Sequence, residues 1–161
     1  MLVRVGCTAL VLGLLAWHVE RTNLVLGDRT LRISGMLAAS PAQSTVVAAV
    51  EAVRDLTAPG ETLAVVPDGS GLNFAARRQN PTPYDIMHPM VLAMYGEDRV
   101  AAAYAKAPPD YVLWLHQNTG GFGSSTFGET YAQQLAKQFA DYERVRSFRG
   151  DVPIDLLRRK R

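Results

Sequence analysis

Two short apolar runs constrain the fold of this chain more than any other feature. Thr62–Val66 (TLAVV) and Tyr111–Leu115 (YVLWL) have the length of ordinary strands and lack polar alternation. Such runs are typical of strands that are covered on both faces of a sheet. Each run leads into a loop rich in glycine and polar residues. If the two strands are parallel neighbours, we expect both loops to lie at one edge of the sheet.

Helical periodicity separates these runs. After Ser40-Pro41, valines and a leucine recur every three or four residues up to Leu56, which predicts a helix with one buried face. The further predicted elements are helices at Leu72–Arg78, Ile86–Tyr95, Asp98–Ala107 and Phe127–Tyr142, a strand at Thr30–Ile33 and an edge strand at Tyr142–Phe148. Their order predicts an α/β fold: a three-layer, open, mostly parallel sheet with helices on both faces, preceded by an N-terminal hydrophobic helix.

The N-terminal segment Leu2–Trp17 is apolar apart from Arg4 and Thr8. A full membrane span needs about 20 such residues. Arg4 near the start of this segment and the interfacial residue Trp17 at its end favour a membrane anchor in residues 1–22, with a domain at 23–161 outside the cytoplasm. A signal peptide and a buried core helix are the alternatives.

Composition narrows the function classes. The 161 residues carry a net charge of +2, and we expect no nucleic-acid partner because no basic stripe is interleaved with aromatic residues. The basic end Arg158–Arg161 is predicted to be a solvated tail, with contact to anionic lipid as the alternative. The single cysteine, Cys7, excludes a disulfide framework and a cysteine zinc site. The three histidines are far apart in sequence, so we predict neither a metal nor a cofactor.

The loops after the two apolar runs supply a candidate polar pocket. Its predicted ligand-binding residues are Asp68, Ser70, Asn73, Arg77, Arg78, Asn80, His116 and Asn118. Arg77 and Arg78 fit a clamp for phosphate or carboxylate, or else a solvated helix end. Asp68 fits an ordinary turn, and His116 either an acid–base or a structural role. His88, between Met87 and Pro89, is expected to be packed.

Local motifs of catalysis are missing from the sequence. Gly69-Ser70-Gly71 belongs to neither a G-x-G-x-x-G nor a Walker loop, and there is no G-x-S-x-G or H-E-x-x-H motif. No catalytic residue is therefore assigned, and whether the chain is an enzyme stays open at this point.

The order of four segments carries a family resemblance. They are VVPDGSGLNF, ARRQNPTPYD, APPDYVLWLHQN and FGETYAQQLAKQFADYERV. Over Val25–Val145 the chain resembles the C-terminal extracytoplasmic region of bacterial membrane glycosyltransferases similar to the dolichyl-phosphate-mannose protein mannosyltransferases, within the GT-C superfamily. The resemblance implies a place at the bacterial inner membrane and a lipid-linked sugar donor. The catalytic acidic residues of such transferases lie in loops between early transmembrane helices, a region with no counterpart here.

Three functions follow from these observations. The first is a non-catalytic accessory domain that binds a glycan or a polyprenyl-phosphate sugar beside a polytopic membrane glycosyltransferase. The second is a membrane-tethered module that docks on partner proteins, which predicts an exposed apolar patch. The third is a small hydrolase or transferase that uses Asp68 and His116, which requires their side chains to lie within about 3 Å of each other.

Overall fold

The computed structural model describes residues 13–17, 30–33, 36–39, 44–69 and 71–160. The chain forms two compact units, Met1–Gln43 and Ser44–Arg161.

The first unit contains helical residues 13–17 and a hairpin of β1 (Thr30–Ile33) and β2 (Met36–Ala39). The predicted strand at 30–33 is confirmed. The rest of the predicted anchor in residues 1–22, and its boundary, lie outside the described residues. Among the helices that are described, none combines the length and apolar content of a membrane span.

The second unit is an α/β domain. Its elements are α1 (Ser44–Leu56), β3 (Leu63–Val66), α2 (Leu72–Ala76), α3 (Pro89–Tyr95), α4 (Glu97–Lys106), β4 (Tyr111–Leu115), α5 (Gln133–Lys137), β5 (Glu143–Phe148) and β6 (Ile154–Arg158). The predicted α/β class is therefore confirmed. The two apolar runs form β3 and β4, and all of their residues except the half-buried Trp114 are buried.

The four strands of this unit form a mixed sheet in the order β3-β4-β6-β5. β3 and β4 are parallel, whereas β6 pairs antiparallel with both β4 and β5. The expectation of a mostly parallel sheet is wrong because β5 and β6 form a hairpin, which must be antiparallel, and β6 inserts between β4 and β5. The edge position predicted for β5 is confirmed.

One continuous apolar cluster packs α3, α4 and α5 against the sheet. Ala64 and Val66 of β3 and Val112 of β4 belong to it, together with buried side chains of the three helices such as Tyr104 and Leu135. Burial raises the pKa of the Tyr104 phenol, whose hydroxyl donates to the Tyr84 carbonyl oxygen at 2.7 Å. This bond ties the cluster to the chain segment that precedes α3.

The helix predicted at Phe127–Tyr142 is wrong over most of its length. Gly128 has φ of 84° and Ala132 has φ of 56°, both in the left-handed region that interrupts a helix. A Cβ on Gly128 would lie 3.1 Å from the Trp114 ring and 3.0 Å from the Ala136 Cβ, so glycine also permits this close approach. Only α5 remains helical, and the Glu97 carboxylate accepts hydrogen bonds from the Gln134 and Leu135 N–H groups at its start.

The C-terminal residues through Arg159 are not a solvated tail. Leu156 of β6 is fully buried, and Arg158 is the last residue of that strand. Arg159 pairs with the Asp110 carboxylate at 2.9 Å. Burial alone would raise the pKa of Asp110, but hydrogen bonds from Thr62 and the charge of Arg159 hold it below the usual value.

Candidate functional site

The loops that follow β3 and β4 meet at one edge of the sheet. The parallel register runs from Leu63 opposite Tyr111 to Val66 opposite Trp114, so both strands end side by side. Across this edge, the Phe122 ring from the loop after β4 stacks on the His88 ring with centroids 4.3 Å apart. His88 in turn lies beside Asp68, in the loop after β3. We call Asp68, His88, His116 and Phe122 the rim.

Asp68 is positioned by an extension of the sheet beyond β3. The Gly69 N–H donates to the Asp85 carbonyl oxygen at 2.6 Å, and the Met87 N–H donates to that of Pro67 at 2.7 Å. A Cβ at position 69 would lie 2.9 Å from the Asp85 oxygen, so this pairing requires glycine. As a result Asp68 lies opposite Ile86 in an isolated bridge.

His88 is the residue before α3 and is largely buried, as expected. Its side chain is only 13% exposed, and its Nε2 lies 3.5 Å from the nearer Asp68 carboxylate oxygen. That nitrogen makes no hydrogen bond within the described part of the chain. The pair is thus a loose contact, and one polar atom beneath the Phe122 ring is left unsatisfied, which is uncommon in folded proteins.

His116 is held by a carboxylate from the neighbouring strand. Its Nε2 lies 2.9 Å from Asp155 Oδ2, while the Ser147 hydroxyl donates to Asp155 Oδ1 at 2.5 Å. Arg144 Nε is 3.5 Å from Oδ2. Burial alone would raise the pKa of Asp155, but the hydrogen bonds from Ser147 and His116 and the charge of Arg144 lower it, so Asp155 is ionised at neutral pH.

The loop after β4 is fixed by a buried threonine. The Thr119 hydroxyl donates to the Ser124 carbonyl oxygen at 2.6 Å and lies 3.1 Å from the Tyr131 hydroxyl, and the Thr119 N–H donates to Ser125. Burial raises the pKa of Tyr131, which keeps this phenol protonated. The same loop carries Phe122 in a single turn of 3₁₀ helix, 47% exposed. The rim aromatic ring is therefore presented by an ordered loop.

Arg78 lies away from the rim and supports the fold. After α2 the chain returns to the start of β3, where the Leu63 N–H donates to the Gln79 carbonyl oxygen at 2.9 Å. There the buried Arg78 guanidinium donates to the Thr57 hydroxyl at 2.7 Å, to the Thr57 carbonyl oxygen at 2.6 Å and to that of Arg77 at 2.9 Å. It thereby satisfies carbonyl groups at the C-terminal ends of α1 and α2.

The other predicted site residues are dispersed. The Asn80 side chain bridges Tyr84 and Thr82, and that of Asn73 donates to the Leu63 carbonyl oxygen at 2.7 Å. Asn118 accepts from the Gly120 N–H at 2.7 Å within its own turn. Arg77 is exposed with φ of 55°, and Ser70 lies outside the described residues. Of the predicted set, the structure assigns Asp68 and His116 to the rim, each held by a different partner.

Sequence reasoning missed Phe122, Asp155 and the contact of His88 with Asp68. Phe122 is the only large apolar residue in the glycine- and serine-rich segment from His116 to Thr126, and that isolation is the one signal that pointed to it. Asp155 follows His116 by 39 positions, so no local motif contains both.

Away from the rim, at the other end of the strands, lies a concave surface with a volume of about 730 Å³. It is lined by Leu56, Ala58, Glu61, Tyr111, Glu143, Arg158, Arg159 and Lys160. Arg158 pairs with Glu143 and Arg159 with Asp110, so two of its three cations are neutralised within the fold. The charge available to a ligand here is accordingly small.

In the part of the chain that the structure describes, no group of three His, Cys, Asp or Glu side chains is placed to hold a metal ion. Comparison with protein-family models, curated proteins and solved structures finds no match.

Replacing Arg78 tests its structural role. We expect Arg78→Ala to lower the free energy of unfolding by about 3 kcal/mol, because several buried carbonyl groups lose a charged donor. Arg77→Ala, at an exposed neighbouring position, is the matched control and should change it by less than about 0.5 kcal/mol. Urea denaturation followed by circular dichroism measures both. Equal, small effects would show that the buried guanidinium contributes little.

Proposed function

We propose that this chain is a membrane-tethered, extracytoplasmic binding domain whose rim engages a glycan or a polyprenyl-phosphate sugar in a bacterial glycosyl-transfer system. The observation that carries the proposal is the stacking of Phe122 on His88 beside Asp68. It joins the loops of two strands into one surface with an aromatic face and polar groups.

The chemistry of this surface suits a hydroxyl-rich ligand. Asp68 is 33% exposed, the His116 side chain 46% and Phe122 47%, so all three are accessible to solvent. An aromatic face packs against the C–H groups of a sugar ring, while a carboxylate and an imidazole accept hydrogen bonds from its hydroxyls. A few polar groups around an apolar surface are typical of small-ligand sites.

Attachment to a membrane would allow a site of low affinity to contribute to glycosyl transfer. A domain held beside a lipid-linked donor raises the effective concentration of whatever it binds, so modest affinity suffices. The resemblance to the C-terminal region of membrane mannosyltransferases supports this setting, with a polytopic transferase as the partner. The proposed role of the domain in this setting is binding, and that role requires no catalytic step.

The proposal includes a three-layer architecture with helices on both faces of the sheet. Successive side chains of a strand point to opposite faces. Ala64 and Val66 belong to the cluster formed with α3, α4 and α5, yet Leu63 and Val65 are also fully buried. Contacts of α1 with β5 and β6 support its position over the second face.

Removal of the rim aromatic ring tests ligand binding. We expect Phe122→Ala to weaken binding of a mannose-terminated oligosaccharide or a polyprenyl-phosphate mannose about tenfold, because the stacking surface is lost. The measurement is isothermal titration calorimetry of the full chain in detergent micelles. Phe74→Ala removes an aromatic ring that is 75% exposed on α2 and serves as the matched control. Absence of binding by the wild-type chain to either ligand contradicts the proposal.

Deletion of residues 1–22 tests the tether. We expect the intact chain to sediment with membranes, to resist carbonate extraction and to be digested by protease added to spheroplasts. The deleted chain should be recovered in the aqueous fraction, because the apolar segment is the proposed anchor. Carbonate release of the intact chain, or its protection from the protease, would count against a tethered extracytoplasmic domain.

A second candidate function is docking on a membrane protein, which an exposed apolar strip on α3 favours. Met90 is 59% exposed, Met94 75% and Tyr95 48%, and the two methionines are one helical turn apart on a shared face. Flexible methionine side chains are common at protein-binding surfaces.

Polar substitution of this strip separates the two functions. We expect Met90→Ser with Met94→Ser to abolish co-purification of a polytopic glycosyltransferase if docking uses α3, while oligosaccharide binding is unchanged. Phe74→Ser, which removes an equally exposed apolar side chain from another helix, is the control. Mass spectrometry of detergent-purified complexes measures the loss. Undiminished recovery of the transferase with the double variant would reject docking through α3.

A further inference from the structure

His116 is held by the protein through one ring nitrogen. Its Nε2 is 2.9 Å from Asp155 Oδ2, its backbone N–H donates to the Pro153 carbonyl oxygen, and its ring lies over Trp114 with centroids 6.2 Å apart. The side chain is nevertheless 46% exposed. Within the described residues, Nδ1 makes no hydrogen bond and is available at the rim.

Asp155 is a fixed and charged partner. Its side chain is 12% exposed, and its second oxygen accepts a hydrogen bond from Ser147 at 2.5 Å. It lies on β6 opposite Trp114 of β4, so the sheet register sets its position relative to His116. Arg144, at 3.5 Å, is the cation that lies beside this carboxylate.

These contacts determine which nitrogen carries the proton. An ionised carboxylate only accepts hydrogen bonds, so in the neutral imidazole Nε2 must be the N–H donor and Nδ1 must hold the free lone pair. We propose that His116 is a general base at the rim: Asp155 fixes its tautomer, and Nδ1 accepts a proton from water or from a hydroxyl of a bound ligand. Asp155 is then a positioning residue.

The arrangement differs from a serine-hydrolase triad. Ser147 donates to the carboxylate and not to the imidazole, so the serine is not activated as a nucleophile. The group that loses its proton must come from solvent or ligand. The inference thus goes beyond binding, and it is independent of which ligand the rim takes.

A small activated ester tests the base without the natural ligand. With p-nitrophenyl acetate, Nδ1 takes a proton from water as the water oxygen bonds to the acetyl carbon. The carbon–oxygen bond to p-nitrophenolate breaks, the phenolate leaves with its electron pair, and the imidazolium returns its proton to solvent. We expect a second-order rate constant at least about tenfold above that of free 4-methylimidazole, and a slower reaction in D₂O because a proton moves in the step that limits the rate. Equal rates in H₂O and D₂O would indicate direct attack of Nδ1 on the ester and would overturn the inference.

Variants of His116 and Asp155 test whether these two residues are responsible for the ester hydrolysis. His116→Ala should abolish it, and Asp155→Asn should lower it at least about tenfold, because an amide no longer enforces one tautomer. Glu143→Gln removes a carboxylate that pairs with Arg158 on the same hairpin, and it should leave the rate unchanged. If Asp155→Asn retains the full rate, or His116→Ala retains the wild-type rate, the inference is wrong.

Nitrogen NMR of the wild-type chain gives a test that no folding defect can confuse. In ¹⁵N-histidine protein above pH 8, long-range proton–nitrogen correlations should show His116 protonated on Nε2. Protonation on Nδ1 would overturn the inference whatever the kinetics. Failure of oligosaccharide binding with a normal ester rate would reject the ligand proposal and leave His116 as a base. Normal oligosaccharide binding with no ester rate above that of 4-methylimidazole would reject the base and leave the ligand proposal in place.

Discussion

The parallel pairing of β3 with β4 is the constraint on which the rest of this domain depends. It aligns Leu63–Val66 with Tyr111–Trp114, so two polar loops begin at the same edge of the sheet. β4 is also the strand that receives β6, and this second pairing brings Asp155 to His116. One buried strand, β4, therefore pairs with β3 to form the common edge and with β6 to bring the partner of its histidine into place.

Much of the fold could be predicted from the pattern of apolar residues, which is continuous in β3 and β4 and helical in its spacing in α1. β3, β4 and α1 follow from it because their side chains are sorted by burial. β6 could not be predicted in this way, since Asp155 interrupts its apolar residues and its end merges with a basic run. That charge is tolerated in an inner strand because Ser147 and His116 satisfy it. The break at Gly128 and Ala132 was hidden because the side-chain spacing around it still fits a helix.

The site was also predictable only in part, because a sequence shows where strands end but not which side chains meet in the folded chain. Strand exits can be located in a sequence, so Asp68 and His116 were found. Side-chain partners are set by tertiary contacts: Asp155 lies 39 positions from His116, and Arg78 leaves the edge because α2 turns the chain back toward the start of β3. A pair of arginines beside a glycine-rich loop has the pattern of an anion clamp. One of the two, Arg78, instead donates to backbone and hydroxyl oxygens at the C-terminal ends of two helices.

The outer strand β5 has a consequence for crowding. Its register shifts between Arg144 and Arg146, and the four residues from Arg144 to Ser147 are exposed. A bulge and positive charges on an open edge discourage a foreign strand from adding to the sheet. The irregular, cationic border therefore protects this domain against self-templated β-aggregation when its copies are crowded together.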